Sequence, residues 1–296
     1  MSTIEYTQGA LSGEKLKGTF SYVEDSIINI RAEIISDIVL KGHHNGSILY
    51  IIRNAFTSDI AEKLINAFDK ELAKTEGGNR PYDGFVKTSQ IGATQFSKNG
   101  KAYVEDVADK NRNLISVFDS LQDTEVEKIF LSKFLENLFL EEGKHFGPAR
   151  YKAGHSSFIT LRRWLDNGEM SLWPHDDTAQ LRVAAQDDFE IAHSIQQVIS
   201  FNAVVEAAKG GGFLKVWNYK PDAAARSYLG LEETGYPYPI ELFTNSESVE
   251  VRLQQGDIYF LNASFLHGVT SVSAGRRFSA GRFIGVINNQ KVVYWT

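Results

Sequence analysis

Short apolar runs separated by turn residues dominate the chain beyond about residue 157. Residues 158–165, 198–205, 213–217, 248–253, 258–261 and 278–286 are rich in Val, Ile, Phe and Tyr. Asn167-Gly168, Gly210-Gly211-Gly212, Gln255-Gly256-Asp257 and Ala274-Gly275 punctuate them. Several short strands with such punctuation predict a sandwich or barrel of the jelly-roll kind. The first half has a different texture. Residues 47–53 read as one β-branched strand, after which Ile60, Leu64, Ile65 and Phe68 recur at helical spacing behind a Thr57 or Ser58 cap. Two further helical stretches are expected around 103–120 and 124–141, with a Gly-rich loop over 76–84. The fold class expected is α+β, mainly β, in a single domain 1–296: a helical and mixed support over 1–150 and a β core over 151–296. The long connections 178–194 and 219–247 are lid candidates, because long loops inside a compact domain usually serve function.

Composition narrows the function classes. With 296 residues, 43% of them hydrophobic, the chain can bury a sizeable core. The net charge is -6, and the basic residues occur only as pairs such as Arg162-Arg163 and Arg276-Arg277. No nucleic-acid footprint is supported, and the mild acidic excess serves solubility. The absence of Cys excludes disulfides, thiolate nucleophiles and Cys-ligated metals. The opening residues lack a basic start followed by an apolar stretch, and no run reaches the roughly 18 apolar residues of a membrane span. The expectation is a cytoplasmic protein with a small-molecule substrate, no nucleic-acid partner and no membrane partner. The sequence leaves the oligomeric state open.

The candidate chemistry lies in four residues. Trp173-Pro174-His175-Asp176-Asp177 reads as a strand end, and side chains alternate along a strand. His175 and Asp177 therefore share one face, and Asp176 points the other way, expected exposed. Ninety residues after Asp177, His267 opens another strand that a barrel would bring opposite this pair. Two imidazoles and one carboxylate on one face of iron leave three positions free. His-x-Asp alone is a weak signal, and the downstream residues sharpen it. Gly275 permits a tight turn into the last long strand, where Arg277 and Ser279 share one face and Arg276 and Arg282 the other. An inward Arg277 offers a bidentate fork for a carboxylate; Arg276 and Arg282 are expected at the surface.

These motifs resemble a known superfamily. Pro174-His175-Asp176-Asp177 looks like the P-H-x-D of prolyl-hydroxylase-type enzymes. His267-Gly-Val-Thr-Ser-Val-Ser-Ala-Gly275-Arg276-Arg277 looks like their H-x-V-x-x-V-x-x-G-x-R, and Lys209-Gly-Gly-Gly-Phe-Leu214 is similar to their G-G-x-L. Residues from about 150 to 296 thus resemble the Fe(II)/2-oxoglutarate-dependent dioxygenases, with a cupin-like double-stranded β-helix fold. Residues 47–68, 197–217 and 292–296 look like the cyanobacterial indole-alkaloid halogenases of the hapalindole and welwitindolinone pathways. Those enzymes carry Gly where this chain has Asp177, so the intact carboxylate implies a hydroxylase-type relative.

The resemblance implies Fe(II) on His175, Asp177 and His267, with 2-oxoglutarate and O2 as cosubstrates. It implies Arg277 on the far carboxylate of 2-oxoglutarate, and Ser279 or Thr160 donating a hydrogen bond to it. Trp164 falls near the position of a 2-oxoglutarate-contacting Tyr in those relatives, with one extra residue before Gly168. The implied reaction hydroxylates an unactivated C–H bond of a small metabolite, a free amino acid or an alkaloid-like product, and releases succinate and CO2. Desaturation, ring closure and halogenation are alternatives at the same centre, and a non-catalytic jelly-roll metal-binding protein is a rival of another class. Phe158, Thr160, Arg162 and Trp164 are read as one face of the first core strand. Phe158, Arg162, Trp173, Phe189, Asn202 and Tyr219 are the substrate candidates, with Tyr236 as a further apolar wall. Arg162 either balances a substrate carboxylate or points outward, since strand register is easily misread by one. His155 and His193 lack ligand spacing and are read as structural or substrate-facing, and His43-His44 as solvated.

Overall fold

The structure is a computed structural model that describes residues 11–75, 88–164, 169–194 and 197–296. The expected loop over 76–84 and the Asn167-Gly168 turn lie outside the described residues. Two sheets carry the architecture. The larger has nine strands, in the order Ser21–Ser26, Ser47–Arg53, Ile258–Asn262, Ile199–Glu206, Arg277–Asn288, Lys291–Trp295 and His145–Pro148. Thr160–Trp164 also pairs with Arg277–Asn288, and Thr88–Ile91 pairs with Thr160–Trp164. The smaller sheet runs Ser248–Val251, Leu214–Trp217, His267–Val269, Leu172–His175.

Arg277–Asn288 is the spine of the larger sheet. Residues 277–281 pair with Thr160–Trp164 and residues 283–288 with Lys291–Trp295, while Ile199–Glu206 runs along the opposite edge. Side chains alternate along these strands. Phe201, Ala203 and Val205, like Phe278, Ala280 and Ile284, join the main apolar core. Ser200, Asn202, Arg277, Ser279 and Gly281 line a cavity on the other side.

Five helices pack on the apolar side: α1 (Ala32–Lys41), α2 (Ser58–Lys74), α3 (Gly100–Phe118), α4 (Asp123–Phe130) and α5 (Ser132–Glu141). They bury Ile34, Ile38, Leu64, Phe68, Leu114 and Phe139 against the sheet. Each such side chain contributes about 1.5–3 kcal/mol of burial. The helix expected over 124–141 is two helices. Leu131, left-handed at φ 50° and ψ 34°, ends α4 and begins α5. Glu127 then caps the new start by accepting from the Lys133 and Phe134 backbone N–H groups.

That break explains a further correction. Arg282, expected at the surface, is 3% exposed, among the rings of Phe146, Phe201 and Tyr294. Its Nη2 donates to the Phe130 carbonyl at 3.0 Å, beside the turn at Leu131. Burial pulls its pKa down to about 10. The outward face of this strand faces helices, not water. Arg276 does sit at the surface, bonded to Glu206.

Four strands of the first half, Ser21–Ser26, Ser47–Arg53, Thr88–Ile91 and His145–Pro148, pair into the larger sheet. Only Ser47–Arg53 has the apolar run that announces a strand; the others are half polar. The long connections hold α6 (Ala179–Ala184) and α7 (Ala223–Leu229). Among the described residues, no helix is long and apolar enough to cross a membrane.

Candidate metal centre

His267 pairs in register with His175 on neighbouring strands of the smaller sheet. Their ring centroids stand 4.0 Å apart. Asp177 follows just beyond the strand end, where its backbone N–H donates to the Ala263 carbonyl at 2.9 Å. Ligand atoms from His175, Asp177 and His267 all lie within 4.8 Å of one another. His267 Nε2 stands 3.4 Å from Asp177 Oδ2.

Both imidazoles are set as ligands. His175 Nδ1 donates to the Trp173 carbonyl and His267 Nδ1 to the Phe265 carbonyl, each at 2.9 Å. A carbonyl only accepts, so each Nδ1 carries the proton and each Nε2 offers its lone pair. Burial, followed by the neighbouring His267, pushes the His175 pKa down to about 4, leaving the ring neutral at neutral pH. Burial works against ionisation of Asp177, but the His267 hydrogen bond, both imidazoles and Arg162 outweigh it and hold the carboxyl below its usual range. Two neutral nitrogens and one carboxylate oxygen fit a ferrous ion.

Asp176 does not point to water. Its side chain is 0% exposed and pairs with Arg226 at 2.9 Å. It also accepts from the Tyr238 hydroxyl at 2.7 Å and from the Thr178 N–H at 3.0 Å. Its backbone N–H donates to the Gly235 carbonyl, and Tyr238 N–H donates to the Pro174 carbonyl. The segment after α7 thus covers the face opposite the metal ligands, and strand alternation alone cannot reveal such a cover. Gly235 is required there: at φ +59°, an added Cβ would stand 2.3 Å from the Asp176 carbonyl oxygen.

Two chambers meet at the triad. The inner has about 570 Å³ of empty volume and the outer about 660 Å³, and both touch His175, Asp177, Arg162 and Trp164. Arg277, 4% exposed, faces the inner chamber. Its guanidinium lies 5.5 Å from the Trp164 ring centroid, and it is hydrogen-bonded to Tyr259. No carboxylate among the described residues pairs with it. A buried guanidinium without a counter-charge is costly, and this one borders a chamber that can take an anion. Ser279 lines it too, accepting weakly from Trp164 Nε1 at 3.5 Å. Thr160 also lines it, but its hydroxyl donates to the Ala93 carbonyl at 2.5 Å. Of the two expected donors, Ser279 is the one whose proton remains available.

The other candidates divide. Arg162 and Asn202 line the inner chamber, and Arg162 reaches the outer one as well. Tyr236 walls the outer chamber, its ring edge-on to His175 at 6.0 Å. Phe158 lies before the strand, which begins at Thr160, and packs on the rings of Phe118 and Phe130 instead. Trp173 lines neither chamber. A register shift between His267 and Val269 breaks the alternation and presents Leu172 with His175. Phe189 is fully buried against Tyr103, and Tyr219 packs with Phe243 while its hydroxyl donates to the Ser12 carbonyl. His155 and His193 are exposed, and His193 bonds to Asp188. His44 is half-buried on Asp37 at 2.7 Å rather than solvated.

Sequence reasoning missed several wall residues. Tyr259 was readable from the alternation within Ile258–Asn262, where its neighbour Phe260 faces the helices. Thr94, Phe96, Gln180 and Glu233 line the outer chamber from separate segments that share no pattern.

Comparison with known proteins agrees with this geometry. Residues 21–296 match the family described as carrier-protein-independent halogenase WelO5. The chain belongs to this family. It is 51% identical over 296 residues to an L-isoleucine 3(1)-dioxygenase of Pantoea ananatis (strain AJ13355), covering 99% of this chain and 98% of the relative. Among solved structures, an N-substituted L-amino acid dioxygenase from Burkholderia ambifaria AMMD in complex with alpha-KG shares the fold. Its TM-score is 0.52 at 13% identity, covering 90% of this chain and 91% of that one. A second structure of the same enzyme gives a TM-score of 0.51. This WelO5-family member is an Fe(II)/2-oxoglutarate-dependent dioxygenase, and His175, Asp177 and His267 can hold its iron.

Proposed function

We propose that this dioxygenase hydroxylates an unactivated C–H bond of a free, branched aliphatic L-amino acid such as isoleucine. One observation carries the reading: Asp177 stands intact between His175 and His267, in a family whose halogenating members it resembles but for this carboxylate. A third protein ligand fills the position that a halide would need. The named substrate of the 51% identical relative supports the choice of amino acid. We further infer that the two sheets are the halves of a double-stranded β-helix and that all 296 residues act as one unit.

Ferrous iron held by His175, Asp177 and His267 supplies the oxidising chemistry, coupled to conversion of 2-oxoglutarate and O2 to succinate and CO2. The protein's part is placement. Arg277 holds the far carboxylate of 2-oxoglutarate with its guanidinium fork, steadied by Tyr259 and the Trp164 face. Ser279 donates to the same carboxylate. Leu172, Phe283 and Tyr236 keep water from the reacting carbon.

The test is turnover of L-isoleucine with Fe(II), 2-oxoglutarate and O2. Stoichiometric succinate and a product heavier by one oxygen atom are expected; a halogenated product in the presence of chloride or bromide would overturn the hydroxylase reading. Arg277→Ala should raise the KM for 2-oxoglutarate about 100-fold, matching the roughly 1.5–3 kcal/mol of a hydrogen bond to a charged group. Succinate release against 2-oxoglutarate concentration measures it, and an unchanged KM would move the clamp elsewhere.

A further inference from the structure

The outer chamber holds two opposite charges besides those of the metal ligands. Arg162 enters it from the Thr160–Trp164 strand, and Glu233 enters from the segment after α7. Arg162 is held in orientation. Its Nε donates to Gln90 Oε1 at 3.3 Å and its Nη2 to Thr94 Oγ1 at 3.0 Å. The Gln90 amide is itself anchored, donating to the Gly92 carbonyl at 2.9 Å.

Glu233 is placed by its neighbours. Two residues on, Gly235 accepts from the Asp176 N–H, and Tyr238 donates to the Pro174 carbonyl, so this segment is fixed against the strand that carries His175. Glu233 itself forms no ion pair or hydrogen bond with any described residue. An exposed carboxylate is commonplace, but this one shares a chamber with an oriented guanidinium and the metal triad. The apolar part of the chamber wall is Phe96, Leu172, Tyr236 and Phe283.

We propose that Arg162 and Glu233 form a two-point clamp for a zwitterion, Arg162 taking the α-carboxylate and Glu233 the α-ammonium, so that Glu233 selects substrates with a free amine. The proposal rests on the amino-acid reading above and goes further by assigning the residue that recognises the amine. With both charges fixed at the chamber wall, the aliphatic side chain is the part left to extend along the apolar residues toward His175 and Asp177. A neutral polycyclic substrate would leave the Glu233 carboxylate without a cation among the described residues, which disfavours it. An N-acylated amino acid would deprive Glu233 of its cation.

The test compares three substrates on the iron- and 2-oxoglutarate-loaded enzyme. They are L-isoleucine, the 2-hydroxy acid with the same carbon chain, and isoleucine amide. Wild type should prefer isoleucine over the hydroxy acid by about 100-fold in kcat/KM, since a site built for a charged donor rejects the analogue lacking it. Glu233→Gln should shrink that preference to about tenfold or less, mainly through the KM for isoleucine, with the KM for 2-oxoglutarate unchanged. Arg162→Met should instead erode the preference for isoleucine over its amide. An undiminished preference in Glu233→Gln, with wild type active on isoleucine, overturns the clamp and leaves the amino-acid reading standing. If wild type binds Fe(II) and 2-oxoglutarate, seen as the anaerobic visible charge-transfer band, yet turns over no free aliphatic amino acid, both fall.

Discussion

Asp177→Ala should lower hydroxylation by at least about a thousandfold, some 4 kcal/mol of transition-state stabilisation, while the protein stays folded. A histidine ligates through a neutral nitrogen, so Asp177 is the one anionic ligand of the triad. Removing it weakens iron binding and opens a coordination position. The fold loses little, because among the described residues the Asp177 side chain pairs with His267 alone, and its backbone bond to Ala263 survives the change. In the metal-free protein at neutral pH the variant should melt slightly earlier than wild type, since the lowered carboxyl pKa means that the fold favours the charged form. Product analysis by mass, run beside thermal unfolding without metal, checks both halves. Full hydroxylase activity in the variant would refute the ligand assignment.

The second large effect is on stability. Arg226→Met leaves the Asp176 carboxylate buried with no cation beside it, and breaking one side of such a pair costs about 3–5 kcal/mol. Asp176→Asn in the same chain should recover much of the loss, because a neutral amide can still accept from Tyr238 and Thr178. Urea unfolding of the two single variants and the double variant gives the coupling directly. Independent, additive losses would show that the pair does not act as a unit. Iron affinity should fall in Arg226→Met as well, since Asp176 sits between two metal ligands.

The metal centre was legible because its logic is local. A spacing of two on a strand puts His175 and Asp177 on one face, and the later His267 and Arg277 each begin a recognisable strand. What alternation could not supply was the identity of the opposite side. Asp176 and Arg282 both point away from the cavity, as read, but both meet protein: the cover after α7 in one case, the break at Leu131 in the other. Trp173 was misassigned because one register irregularity shifts the pattern, and Phe158 because the strand starts two residues later than its apolar run. Phe189 and Tyr219 are large aromatic residues, and their size served the core. The outer chamber was the least legible, since Thr94, Gln180 and Glu233 converge only through tertiary folding.

The place of Ser47–Arg53 has a consequence for how such enzymes can be rearranged. This strand lies between Ser21–Ser26 and Ile258–Asn262, with Tyr50 opposite Phe260 and Ile52 opposite Ile258. Cutting near residue 150 would therefore strip a long apolar edge from the iron-binding half and invite it to pair with other chains. Exchange of catalytic halves among relatives must carry the early strand along with the late ones. The same geometry means that, during synthesis, Ser47–Arg53 can pair early with Ser21–Ser26 but waits some two hundred residues for its second partner, and non-local pairing of that kind is slow.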